Sequence, residues 1–126
     1  MGKPVNSNVE RAETTPLNTK VNKEVFEQFK DCLAYQGYPM NVVLETFMRQ
    51  YTDGGFELEE DEIMKWKIDE YEVATLNTTF NKEIYTKFRY YCRGNGYFVK
   101  HVIMAFMKRY TEGNLIMKFV ELETDK

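Results

Sequence analysis

A mostly helical fold with a short β-ribbon is predicted, built from two strand-helix-helix units that close into one intramolecular pseudo-dimer. Three observations predict it. The segment LNTKVNKEV, Leu17 to Val25, returns as LNTTFNKEI, Leu76 to Ile84. From Leu17 and Leu76 to Gly54 and Gly113 the halves align without a gap at an offset of 59 (76 − 17), with 15 of 38 positions identical, too many for an accidental echo. Finally, a unit of about 40 residues cannot bury enough surface to stand alone, so the two copies must share a core.

Each element has a local reason. Residues 1–14 are polar, without the apolar stretch of a signal peptide, and are expected to form a disordered arm. Unit 1 spans 15–54 and unit 2 spans 74–113. Each opens on alternation: Leu17, Thr19 and Val21 point one way and Asn18 and Lys20 the other, while Leu76, Thr78 and Phe80 oppose Thr75, Asn77 and Thr79. This predicts half-buried strands, which find ladder partners only in each other, as an antiparallel ribbon.

Asn22 and Asn81 stand where a helix N-cap is wanted. The first helical stripes follow, Val25, Phe26, Phe29, Cys32 and Leu33 in one copy and Ile84, Tyr85, Phe88, Tyr91 and Cys92 in the other. Gly37 and Gly96 end those helices. The second helices start near Pro39 and Phe98. Their stripes are Met40, Val43, Leu44, Phe47, Met48 and Tyr51, and Val99, Val102, Ile103, Phe106, Met107 and Tyr110, closed by Gly54 and Gly113.

Between the units lies a linker, 55–73, with an acidic run from Glu57 to Glu62. A solvated linker is one reading of it. Alternation of Met64, Trp66 and Ile68 favours a strand there, although Met64, Ile68 and Tyr71 also suit a short helix. The tail, 114–126, is apolar between Leu115 and Glu123 and is expected to be extended, pairing with the linker. The two units together form one globular domain.

Composition narrows the function. With 43% hydrophobic and 15% aromatic residues and no run near the ~18 apolar residues of a membrane span, a soluble protein without a membrane partner is expected. The formal charge of −3 argues against generic polyanion binding, although its distribution along the chain is uneven. Cys32 and Cys92 lie far apart, and His101 is the only histidine, so no metal set is expected and both thiols are assigned to the core. No nucleophile-base pair, phosphate-cradling glycine loop or paired catalytic carboxylate is present, and neither an enzyme nor a cofactor is expected.

The order of elements, the capped turn after the strand, the G-Y break between helices and the duplicated LNTxxNKE segment resemble the ribbon-helix-helix fold of the Arc/MetJ/CopG type. The resemblance covers about two-thirds of the chain, and its tandem, single-chain form looks like the arrangement in certain conjugation proteins. It implies double-stranded DNA as the partner, with the ribbon laid in the major groove. Carried over by position, the base-contacting residues are Asn18 and Lys20 from one strand and Thr75, Asn77 and Thr79 from the other; Asn suits adenine, Lys guanine and the Thr methyl thymine. Phosphate contacts are expected from Lys23, Lys82, Lys100 and His101, the last two at the start of the second helix in the second copy. Asn41 and Val42 take those places in the first, and Pro39 lacks an N–H, so the contacts should be stronger in the second half.

The implied role is a sequence-specific transcriptional repressor or a plasmid or mobile-element accessory factor, cytoplasmic on nucleoid or plasmid DNA. The chain would act as a monomeric pseudo-dimer, with side-by-side association of chains on DNA left open. Covalent linkage holds the halves at an effective concentration of order millimolar and lets the two strands diverge, as Lys20 and Thr79 have done. The alternative is an antitoxin-like protein-interaction module that keeps the fold and has lost the DNA face.

Overall fold

The structure is a computed structural model that describes residues 13–68 and 70–112. The expectations for the N-terminal arm up to residue 12, for Gly113 and for the tail fall outside the described residues. In chain order the elements are β1 (Thr14–Asn22), α1 (Lys23–Gln36), α2 (Met40–Thr52), α3 (Glu60–Met64), a 3-10 turn (Lys65–Lys67), β2 (Val73–Asn81), α4 (Lys82–Gly94) and α5 (Val99–Thr111). Two ribbon-helix-helix units, β1-α1-α2 and β2-α4-α5, pair through their strands. None of these helices is long and apolar enough to cross a membrane.

Asparagine makes the strand-to-helix switch in both halves. Asn22 and Asn81 keep extended backbones, and each Oδ1 accepts from the N–H three residues on, Val25 at 2.9 Å and Ile84 at 3.0 Å. One otherwise unpartnered donor per helix is thereby satisfied. The G-Y break closes the first helix alike in both halves. Gly37 (φ 79°) and Gly96 (φ 85°) turn left-handed, and the N–H of the next tyrosine donates back to Leu33 or Cys92. That turn needs a positive φ, which glycine adopts without steric cost.

The strands pair antiparallel from Thr14 opposite Asn81 to Asn22 opposite Val73. β1 thus begins three residues before the expected alternation, because Thr14, Thr15 and Pro16 find partners in Asn81, Phe80 and Thr79. Proline is tolerated here for a reason that the ribbon's ends reveal. Lys23 N–H donates to Glu72 O at 2.8 Å and Lys82 N–H to Glu13 O at 2.9 Å, so odd positions of β1 and its direct continuation form the hydrogen-bonded pairs. Pro16 occupies a position whose missing N–H would point away from β2.

The helices cross-pack between units: α1 lies against α5, and α2 against α4. Phe29 meets Phe106 and Tyr110 edge-on at 6.0 and 5.3 Å, and its counterpart Phe88 meets Phe47 and Tyr51 at 5.7 and 5.9 Å. Phe47 and Phe106, which occupy the same place in the repeat, stack on each other at 4.1 Å and 13°. Equivalent residues can meet only on the pseudo-twofold axis, so this stack marks where the axis leaves the core. The Tyr110 hydroxyl donates to Gln36 Oε1 across the halves at 2.7 Å. Each buried phenylalanine contributes about 1.5–3 kcal/mol, and most of that burial requires the other half.

In the linker the leaning towards a strand is corrected. Residues 60–67 form α3 and the 3-10 turn, and Ile68 is exposed. Glu59 and Glu62 make a capping box, and three acidic residues fill the first turn, where the helix dipole favours them. Burial follows Ile63 and Trp66, three apart, rather than alternating. The linker is not simply solvated either. Phe56 is buried edge-on against Phe47 and Phe106, at 5.2 and 5.8 Å. Arg109 of α5 grips the Glu62 carboxylate with Nε and Nη2, the former at 2.8 Å.

Candidate nucleic-acid interface

Because the strands pair at an offset that matches the repeat, Asn18 falls directly opposite Asn77 (77 − 18 = 59). Around this central pair the outward row continues as Pro16 opposite Thr79 and Lys20 opposite Thr75, all six residues exposed. Behind them Leu17, Thr19 and Thr78 are half-buried, and Val21, Leu76 and Phe80 are fully buried against the helices. The five residues expected to contact bases, Asn18, Lys20, Thr75, Asn77 and Thr79, are therefore brought onto one face. Even positions of β1 are non-hydrogen-bonded pairs, in which facing side chains approach most closely.

Three outward residues escaped the sequence reasoning: Thr14, Pro16 and Val73, exposed on the same face. The repeat itself carries the signal. The offset maps Thr75 onto Pro16 and Val73 onto Thr14, so extending the alignment towards the N-terminus adds them to the row.

The expected phosphate-contacting residues separate. Lys23 and Lys82 are exposed in the first turns of α1 and α4, at opposite ends of the ribbon, and Lys82 Nζ lies 3.4 Å from Glu13. Lys100 is half-buried at the start of α5 and lines a groove beside β1. His101 does not face outward as expected; it is buried, 5% exposed, with its ring 5.4 Å from that of Phe98. It lies one helical turn before Met104, whose Sδ accepts from the Tyr71 hydroxyl at 3.9 Å, on a helix that α3 and the 3-10 turn also cover. His101 is thus enclosed while its counterpart Val42 stays exposed.

The groove beside β1 encloses about 410 Å³ and is lined by Arg89, Arg93 and Lys100, together with Asn18, Tyr85 and Phe98 among others. Arg89 and Arg93, on α4, were not singled out by the sequence reasoning. Their spacing of four places them on one helix face, and that is the signal that could have found them.

The ribbon ends are held by an exchange between the halves. Asn81 N–H donates to Glu45 Oε2 of α2 at 2.6 Å, and Asn22 N–H donates to Met104 Sδ of α5 at 3.2 Å. Glu45 and Met104 are equivalent in the repeat (104 − 45 = 59), so one acceptor position has become a carboxylate in one half and a thioether in the other. Each α2-type helix thereby fixes the other unit's strand.

Electrostatics away from the ribbon differ. Burial raises the Glu62 carboxyl, but hydrogen bonds from Arg109 and the Glu59 N–H, with the charges of Arg109 and Lys65, hold it below the ordinary carboxylate range. Arg109 is nine residues from Lys100, about 14 Å along α5. The Glu62 carboxylate is therefore held well along α5 from Lys100. Among the described residues no group of three or more His, Cys, Asp or Glu side chains is placed to hold a metal ion. Comparison of the chain with protein-family models, with curated proteins and with solved structures returns no match.

Proposed function

We propose that this chain is a sequence-specific double-stranded DNA-binding protein of the Arc/MetJ/CopG type that inserts its ribbon in the major groove. The observation that carries the reading is the outward row Pro16/Thr79, Asn18/Asn77 and Lys20/Thr75, exposed and backed by a buried core. A major groove about 12 Å wide admits a two-stranded ribbon. Four residue steps from position 16 to 20 extend about 14 Å, enough to face about four base pairs at 3.4 Å each. Asn at the axis suits adenine on either strand, and Lys20, answered by Thr79 in the repeat, makes the two half-sites read differently. The target is an imperfect palindrome, and the role is that of a repressor or of an accessory factor at a plasmid or mobile-element site.

A salt titration on random-sequence and selected duplexes tests this. Counterion release requires affinity to fall steeply with salt, with a further preference for the selected site. No binding to any duplex at low salt would overturn the proposal. It would favour instead a protein-interaction module on the same fold, a reading supported by the exposed acidic residues Glu57, Glu59, Glu60 and Asp61 and by the lack of side-chain caps at Pro39 and Phe98.

A further inference from the structure

Resting on the DNA reading above, we infer that Arg89, Arg93 and Lys100 form a backbone-phosphate clamp in the second half only, so that the chain grips the phosphates of one half-site more strongly than those of the other.

Three cationic side chains converge on one groove that no acidic residue lines. None of the three has an ion-pair partner among the described residues, whereas Lys82, Lys87 and Arg109 each do. Arg89 Nε is enclosed and without a hydrogen-bond partner among those residues, a donor held for a ligand or water to meet. Guanidinium groups suit phosphate because their planar fork can donate two parallel bonds, and Lys100 adds a point charge in the first turn of α5, where the helix dipole also favours an anion. Asn18 lines the same groove. A phosphate seated there belongs to the DNA strand flanking the bases that face the Asn18/Asn77 pair.

The repeat supplies the internal control. The positions equivalent to Arg89, Arg93 and Lys100 are Lys30, Ala34 and Asn41, one cation in place of three. Lys30 lies over the Phe26 ring, its Nζ 4.7 Å from the centroid, as Arg89 lies over the Tyr90 ring at 5.6 Å, so the difference between the halves rests on Arg93 and Lys100 being Ala34 and Asn41 in the first. A ribbon with a twofold-related central pair could sit either way round on a near-palindrome. Phosphates repeat alike in both half-sites, so the unequal base readers Lys20 and Thr79 decide which way round the chain lies, and the clamp then falls on one half-site only.

The experiment is a salt titration of the full chain and its variants on a selected duplex, with phosphate-ethylation interference on the same duplex. Arg89→Ala/Arg93→Ala is expected to flatten the slope of log affinity against log salt by about 2, and the exposed single variant Arg93→Ala by about 1. Wild-type interference should be concentrated on one half-site. Ala34→Arg/Asn41→Lys, both at exposed positions, should install the missing clamp, steepen the slope and make the interference two-sided. Unchanged slopes in the arginine variants, or symmetrical interference in the wild type, with wild-type binding still steep in salt, would overturn the clamp alone. A wild-type chain that binds no duplex would overturn the DNA reading and the clamp with it.

Discussion

Asn18 faces Asn77 across the ribbon on the same pseudo-twofold axis that passes through the Phe47-Phe106 stack in the core. One end of the axis is polar and exposed, the other apolar and buried, and divergence between the halves leaves both identical pairs in place. Under the proposed function the two asparagines meet the central bases. Asn18→Ala and Asn77→Ala should each cost about 1–3 kcal/mol on the selected site and little on random DNA, measured by competition binding at fixed salt. Equal losses on both kinds of duplex would mean that these residues do not read bases.

The Glu45 and Met104 exchange predicts asymmetric stability effects. Removing the carboxylate in Glu45→Ala leaves the half-buried Asn81 N–H without its acceptor, which costs about 1–3 kcal/mol. Met104→Leu fills nearly the same volume and removes only a weak acceptor, so a loss below about 1.5 kcal/mol is expected. Urea denaturation should show a lower midpoint with unchanged slope for both, and the larger shift for Glu45→Ala. The reverse order would show that the charged acceptor is not the stronger tie.

How much of this was legible in the sequence depends on which signals are local. The caps at Asn22 and Asn81 and the glycine breaks are decided within a few residues and were readable directly. The pseudo-dimer was readable because a repeated unit with one strand has no other partner for it. The linker was not, because Met64, Trp66 and Ile68 mimic a strand while the capping box and the burial of Ile63 and Trp66 against α5 decide for a helix. His101 was misread because its burial is set by tertiary packing that its place in the first turn of a helix does not reveal. Arg89 and Arg93 were hidden by the repeat itself: comparison draws attention to identical positions, and these have diverged.

The Glu62-Arg109 pair predicts an acid-sensitive anchorage of the linker. Glu62 is held below the ordinary carboxylate range in the folded state, so its contribution is fully present above the ordinary value near 4.5. It is lost as pH falls through the lowered folded value. Glu62→Gln should therefore be less stable near neutral pH, by about 1 kcal/mol given the pair's partial exposure. It should also lose less stability than wild type on acidification below that range. Thermal melts of both chains between neutral and strongly acidic pH provide the check, and parallel pH profiles would argue that the pair does not hold the linker.

The two thiols should report separately on the shared core. Burial pushes the Cys92 thiol up to about 12, and it is wholly enclosed between the halves, whereas Cys32 is half-buried and raised by burial to a lesser degree. Only the thiolate reacts with disulfide reagents or maleimides, so at mildly alkaline pH Cys32 should be modified first and Cys92 only when the chain opens. Reaction of Cys92 requires α4 to leave α2, which breaks the contacts of Phe88 with Phe47 and Tyr51. Its rate should therefore rise in parallel with global unfolding in urea, as the opening free energy of a single cooperative unit requires. Peptide mapping after timed labelling distinguishes the two cysteines. Rapid modification of Cys92 in the folded chain would mean that the second half opens on its own, contrary to a core that neither half completes alone.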